Sequence, residues 1–425
     1  MGRVVGDNGS LGDPMGWAGP IRPAGRRRPA KNERMRTVGV EEELLVVDGT
    51  GRPVPLGPEA LEVAARRGEG ETAQQHDQVD ETDESGVHLM PELKAQQIEL
   101  GTPVCSTLAE VDTELRFWRG RAAAAAATVG ASVAALSTSP VAVDPVATEG
   151  ERFARMLDTF GLTAHEMLTC GCHVHVGVED DEEGVAVLNR IRVWLPVLTA
   201  LTANSPYWRG VDTGYASYRS RAWQRWPSAG PTDVFPDAAA YHRLIDDVLA
   251  TDTVLDSGMV YFDARLSEKW PTVEVRTADV ALRVEDAVTL AGLVRGLVET
   301  AAREARAGTA PLAVPAQLVR LAAWRAGRDG VAGDLVHPCT GRPAPAAEVV
   351  GALLEHVRAA LVDAGDEQRV TDGVMAILRR GTGAELQRRV YRETGGDLGA
   401  VVRAAVALTA GEPEPAAQAP ASAAG

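Results

Sequence analysis

Lysine is nearly absent: the 425 residues hold three, Lys31, Lys94 and Lys269. None follows a glycine and no GxxxxGK[ST] motif occurs, so a P-loop is excluded. Phosphate must then be held by arginine or by metal. Cysteine is scarce too; four thiols, two of them at Cys170 and Cys172, make no disulfide framework in a chain this long. No run of about 18 apolar residues is present to span a membrane, and the N-terminus lacks the apolar core of a secretion signal. The expected location is cytoplasmic, with no membrane partner. Bases number 43 against 59 acids, a net charge of −16, which argues against nucleic acid as the main partner. An anionic substrate remains open if Mg²⁺ mediates the contact.

What is present is the composition of a globular protein, 45% hydrophobic and 24% charged. The length suits one large domain or two ordinary ones. Residues 1–35 are rich in Gly, Pro and Arg and read as a disordered basic tail, a nucleic-acid or targeting arm being the sharper alternative. Residues 410–425, AGEPEPAAQAPASAAG, read as a second disordered tail. A single catalytic domain is expected over 36–409.

That domain is organised around Thr37–Val47, TVGVEEELLVV. Read as a strand, it points Glu41 and Glu43 to one face with Thr37, Gly39 and Leu45, and Glu42 to the other with Val38, Val40, Leu44 and Val46. Carboxylates at i and i+2 stand roughly 7 Å apart, close enough to share a cation or a polyphosphate. A solvated edge strand would look the same, but three later segments repeat the pattern. In HLMPELKAQQIELGT, alternation around Ile98 puts Gln97 and Glu99 on one face. Glu92 has the wrong parity to join Glu99 in one regular strand, so Pro91 or a bulge must intervene if both serve a site. In LTCGCHVHVGV, His173, His175 and Gly177 share a face, opposite Cys172, Val174, Val176 and Val178. In PTVEVRTADV, Thr272, Glu274 and Arg276 share a face, opposite Val273 and Val275.

Between these rows lie expected helices at Leu56–Arg67, Leu108–Val129, Phe153–Phe160, Glu182–Leu201 and Asp237–Ala250, and expected strands at Ser132–Leu136 and Val260–Ala264. Residues 204–236 form a long loop with four arginines and six Trp or Tyr, suited to an anionic small molecule or a nucleotide base. From Arg283 onward the pattern is helical throughout, at 285–306, 315–326, 345–363, 367–380, 384–393 and 397–408. Strands with inserted helices followed by a helical third suggest α+β.

Structural zinc at Cys170-Gly-Cys172-His173-Val-His175 fits poorly, because Cys172 faces away from both histidines and the spacing matches no zinc finger. An HxH metal-dependent hydrolase has the better geometry, but no βα alternation supplies its further ligands. Taken together, Glu41, Glu43, Glu99, Glu274 and at least one histidine suit Mg²⁺, or Mn²⁺, rather than zinc. Such clustered acids would repel one another without cations. Arg276 beside Glu274 can stabilise phosphoryl oxygens. Metal and arginine without a nucleophile triad point to phosphoryl transfer.

GVEEEL, QIELGTP, CGCHVHVGV, NSPYWRGVDTGYASYRSRAW and PTVEVRTADV, in that order, resemble the carboxylate-amine ligase family, the glutamate–cysteine ligase type 2 group, over residues 36–400. The resemblance implies a glutamine synthetase-like fold: a curved antiparallel sheet whose concave face binds Mg²⁺, ATP and the amino-acid substrate, with flanking helices. By position it implies metal binding at Glu41, Glu43, Glu99, His175 and Glu274, and phosphate contact from His175 and Arg276. It implies a second acidic pair, Glu92 and Glu99, with Glu92 near metal or the amine, and a substrate loop holding Tyr218 and Arg219. Two departures stand out: Cys172 where many relatives have Met, and Ser137-Thr-Ser-Pro-Val where relatives often have a small-residue–His–Pro turn. The implied reaction is amide formation through an acyl phosphate, with weak glutamate–cysteine ligase activity on L-glutamate and L-cysteine or another small amine. A homodimer is expected by the same resemblance. The rival readings are a guanidino- or carboxylate kinase on the same fold and, further off, the hydrolase.

Overall fold

The computed structural model describes residues 35–76 and 89–412. The expected tails therefore lie almost wholly outside the described residues. From Met35 onward the chain makes one compact unit.

Its strands in chain order are β1 (Val38–Val47), β2 (Leu89–Pro91), β3 (Gln97–Gly101), β4 (Ser132–Ala134), β5 (Gly171–Gly177), a ribbon of β6 (Tyr207–Trp208) and β7 (Val211–Asp212), then β8 (Ala264–Leu266), β9 (Thr272–Asp279) and a hairpin of β10 (Asp334–Val336) and β11 (Pro343–Pro345). Seven of them form an antiparallel sheet in the order β2-β3-β1-β5-β9-β8, with β4 paired to the far end of β1. β1 is central because its alternation serves two different environments. Val38, Val40, Leu44 and Val46 are buried with Ile98, Leu100, Val174, Val176, Val273 and Val275. Each such side chain contributes about 1.5–3 kcal/mol when fully buried. Helices Leu108–Thr128 and Val284–Arg306 cover that face.

Glu42 lies on the apolar face and is 0% exposed. It is matched there by Arg119, whose guanidinium donates to both carboxylate oxygens at 2.7 Å and to the carbonyls of Ala281 and Leu282. The first of those helices starts on a capping box, Thr107 with Glu110, which satisfies two orphan backbone donors.

Several elements differ from the sequence expectation. Residues 89–101 are a hairpin rather than one strand. The helix expected at Glu182–Leu201 divides into Asp181–Ile191 and Leu195–Leu201, bent by 66°. Pro196 explains the break, since it has no N–H to continue the ladder. The strand expected at Val260–Ala264 is displaced to Ala264–Leu266 behind a 3₁₀ turn at Ser257–Met259. The long loop contains the β6–β7 ribbon and a short helix, Arg219–Trp223. The helical third contains the β10–β11 hairpin. Among the described residues, no single helix is long and apolar enough to cross a membrane.

Candidate active site

Antiparallel register decides which side chains meet, because directly opposed residues share a face. Glu43 pairs with Glu99 across β1–β3, and Glu41 with His173 across β1–β5. His175 then pairs with Glu274 across β5–β9. The four polar rows thus converge on one sheet face. Glu41 Oε2 lies 3.3 Å from His173 Nδ1, and Glu41 Oε1 lies 3.2 Å from His175 Nε2. Glu274 Oε1 is 3.9 Å from both His173 Nδ1 and His175 Nε2.

A bulge refines the arrangement. The β5–β9 register shifts between Cys172 and Val174, so Arg276 and Thr277 together oppose His173. Bulges re-aim side chains and reverse parity beyond them. Arg276 forms an ion pair with Glu274, and its guanidinium carbon lies 5.9 Å from the centre of the Tyr261 ring. Arg265 of β8 grips the other Glu274 oxygen at 2.6 Å. Beyond the bulge Asp279, not Ala278, takes the site face. It accepts from the Ser205 and Ser217 hydroxyls and the Asn204 backbone N–H, pinning the 204–236 loop to the sheet.

Glu92 sits in the β2–β3 turn just after Pro91, and Leu93 N donates to its Oε2 at 2.5 Å. The hairpin, rather than a bulge in one strand, resolves its parity with Glu99. Arg219 opens its short helix beneath Gly171, where a Cβ would come 2.3 Å from Arg219 Nη2. The guanidinium stacks 5.4 Å from the Trp223 ring centre. Tyr218 turns away into an aromatic group with Trp208 and Tyr215. The Ser137–Ser139 stretch braces the loop from below, Thr138 Oγ1 donating to the Tyr207 carbonyl at 2.6 Å.

Charge separates the acids into two classes. Burial alone would raise Glu274, but Arg276, His175 and Arg265 override it and hold the carboxyl near 2. Burial opposes ionisation of Glu41 too, yet His175 and His173 beside it carry it well below the ordinary carboxylate value. Glu99 goes the other way: burial and the neighbouring Glu41, Glu92 and Glu43 push it well above. Burial raises Glu43 as well, and together with Glu43 it raises Glu92 to about 7. Burial and Arg276 press His173 down to about 4.

This arrangement fits a divalent cation. Glu41, His173 and Glu274 each offer a ligand atom, all within 4.8 Å of one another. His173 Nε2 is buried without a hydrogen-bond partner. Oxygen donors with imidazole suit a hard cation. Cys172 faces the core and its thiol is pushed well above the usual range by burial, so no thiolate joins the set. His173, Arg265 and Asp279 are the residues the sequence reading did not assign. His173 was visible by parity; Asp279 was hidden by the bulge, and Arg265 by the misplaced strand.

The model of glutamate-cysteine ligase family 2 matches residues 37–404. A Streptomyces coelicolor protein named "Putative glutamate--cysteine ligase 2" is 50% identical over 376 residues, covering 88% of this chain and 99% of its own. A Paenarthrobacter aurescens protein named "Putative glutamate--cysteine ligase 2-1" is 50% identical over 358 residues, covering 84% and 91%. Among solved structures, a glutamate–cysteine ligase from Francisella tularensis in complex with AMP aligns with TM-score 0.62 at 13% identity, over 91% of each chain. A bifunctional glutathione synthetase from Pasteurella multocida aligns with TM-score 0.62 at 14% identity, over 88% of this chain and 52% of that one. The antiparallel sheet with one polar face and a helical C-terminal third is therefore a ligase fold.

Proposed function

The chain belongs to glutamate-cysteine ligase family 2, and from that premise we propose that its polar sheet face joins the γ-carboxylate of L-glutamate to the amine of L-cysteine or a similar small amine, at the expense of ATP. The observation that carries this reading is the register that sets Glu41, Glu43, Glu99, His173, His175, Glu274 and Arg276 on one face. The carboxylate oxygen attacks the γ-phosphorus of ATP, giving γ-glutamyl phosphate and ADP. The amine nitrogen then attacks the acyl carbon, phosphate leaves, and the nitrogen gives up a proton.

Glu41, Glu43, Glu99, His173, His175 and Glu274 would hold divalent cations, Mg²⁺ or Mn²⁺, which when bound neutralise charge building between carboxylate and phosphate. Arg276, fixed by Glu274 and Tyr261, orients the transferred phosphoryl oxygens. Glu92, in the hairpin turn beside the acidic cluster, takes the proton from the attacking amine. Arg219 anchors the substrate loop against the sheet, with Tyr218 at its aromatic end.

The same reading makes 36–409 one catalytic domain and the protein cytoplasmic, as its four unpaired cysteines support. It acts without a nucleic-acid partner, as the acidic balance supports. We read it as a homodimer, supported by the apolar stripe of Leu318, Leu321 and Trp324, which are 54%, 61% and 42% exposed on helix Ala316–Asp329.

The test is ADP release with Mg·ATP and L-glutamate, with and without L-cysteine. Release that needs both amino acids and yields a γ-glutamyl product supports the ligase. Release with glutamate alone and a phosphorylated end product would make the protein a kinase. Glu274→Gln should lower turnover at least 100-fold while thermal unfolding stays cooperative; a fully active variant would remove Glu274 from the site.

A further inference from the structure

Helix Gly383–Glu393 presents one face to the 204–236 loop. Gly383, Gln387 and Tyr391 follow at four-residue spacing, so they lie on one side of that helix. Gln387, 1% exposed, donates its Nε2 to the Asn204 carbonyl at 2.9 Å and to Asn204 Oδ1 at 2.7 Å. Gly383 lies so close to the same Oδ1 that a Cβ would have no room. The Tyr391 ring centre is 5.4 Å from that of Tyr207. Arg388 donates to both carboxylate oxygens of Asp212 in β7, at 3.0 and 2.7 Å, and to the Tyr215 carbonyl at 2.9 Å. Ala384 packs with Ala203 and Ala216, at either end of the same segment.

That segment in turn fixes Arg219. Ser205 Oγ accepts from the Arg219 backbone N–H at 2.9 Å and donates to Asp279 at 2.7 Å, while the Ser205 carbonyl accepts from the Tyr218 N–H. Beyond its stacking on Trp223, the Arg219 guanidinium has little to hold it. Its Nε is buried without a partner, and Nη1 and Nη2 lie 3.5 Å from the Arg276 carbonyl. Its place beside Gly171 is therefore set through its backbone, and its donors are left for an anionic oxygen of the reactants.

We propose, resting on the ligase reading above, that Gln387 and Arg388 are positioning residues. They hold residues 204–217 so that Arg219 stands at the acidic cluster during turnover, and a C-terminal helix thereby sets kcat.

The experiment measures kcat and KM with Mg·ATP, L-glutamate and L-cysteine, together with hydrogen exchange at the Ser205, Tyr218 and Arg219 amides. Arg388→Met should lower kcat about tenfold or more, because small misplacements of a working group are costly, with KM for ATP changed less than about threefold. Exchange at the three amides should quicken about tenfold. The thermal midpoint should barely move, since half-exposed ion pairs add little stability. Arg388→Lys should recover part of kcat, an ammonium being able to pair with Asp212 without spanning both its oxygens. Gln387→Met should act in the same direction from the buried end, and Arg388→Met decides alone if that variant folds poorly. The control is Arg403→Met, which removes a comparable surface pair with Asp397 and a contact to Thr50; it should match the wild type in kcat and exchange. Wild-type kcat and exchange in Arg388→Met would overturn the proposal and leave the ligase reading standing, as would an equal loss of kcat in Arg403→Met. A wild type that releases no ADP with any amine would overturn the ligase reading and this proposal with it.

Discussion

Lys94 is 1% exposed, and its ammonium donates to the His165 carbonyl at 3.3 Å. Burial lowers its pKa from 10.5 to about 8, against the opposing pull of Glu92. The folded state therefore binds this proton less tightly than the unfolded chain. Below about pH 8 both states are protonated and the burial penalty is complete. As pH rises from about 8 to 10.5, the folded group is neutral while the unfolded one stays charged, so stability rises with pH. Lys94→Met should then stabilise the protein by up to about 3 kcal/mol at pH 7, and the gain should shrink toward pH 10.5. Urea denaturation of both proteins at pH 7, 9 and 10 checks this; a difference constant with pH would mean that Lys94 is not desolvated as described. At this scale two-residue alternation made much of the site legible: Glu41, Glu43, Glu99, His175, Glu274 and Arg276 were placed by parity within their own strands. Lys94 was not, because burial of a turn residue depends on chain brought in from residues 146–148 and 165, far away in sequence.

Among elements, what escaped the sequence was irregularity. A hairpin turn and a bulge each cost one change of parity, and neither leaves a periodic trace, so Glu92 and Asp279 could not be phased. The helix break at Pro196 was written in the chain but masked by the strong apolar periodicity on both sides. Close approach of elements was equally invisible. Gly171 of β5 has to be glycine because Arg219 packs on it, and a Cβ would lie 2.3 Å from Nη2 and 2.9 Å from Cζ. The guanidinium is buried and cannot swing into solvent. Gly171→Ala should cost about 1–3 kcal/mol in chemical denaturation and lower kcat by displacing the loop helix. A variant as stable and active as the wild type would show that Arg219 has room to move. On the opposite face, the Glu42–Arg119 pair ties β1 to its covering helix. Glu42→Leu should destabilise by about 3–5 kcal/mol by leaving a buried guanidinium unpaired. Glu42→Leu with Arg119→Met should recover most of that loss, so the double-mutant cycle should give a large coupling between the two.

Across the whole molecule, one sheet solves two problems with its two faces. The apolar face, under helices Leu108–Thr128 and Val284–Arg306, supplies the stability. The polar face concentrates acids that the fold cannot neutralise by itself: Arg276 and Arg265 serve Glu274, while Glu43, Glu92 and Glu99 are raised by burial and by neighbouring acids, Glu41 among them for Glu43 and Glu99. A fold that holds these groups together stores repulsion, and a cation bound in the native state alone relieves it. Stability should therefore depend on divalent metal even without substrate. Mg²⁺ or Mn²⁺ at about 100 times its dissociation constant should add about 2.7 kcal/mol, raising the thermal midpoint by a few degrees over the chelator-treated protein. The shift should vanish in Glu41→Gln and in Glu274→Gln, which remove ligands from the cluster. It should persist in Asp112→Asn, which removes a surface acid paired with Arg116 and Arg369. Calorimetry of the four proteins with and without metal separates a built site from general screening of a chain with net charge −16. Equal shifts in all four would mean that the ions act on overall charge, and the acids on the sheet would lose their claim to be a metal centre.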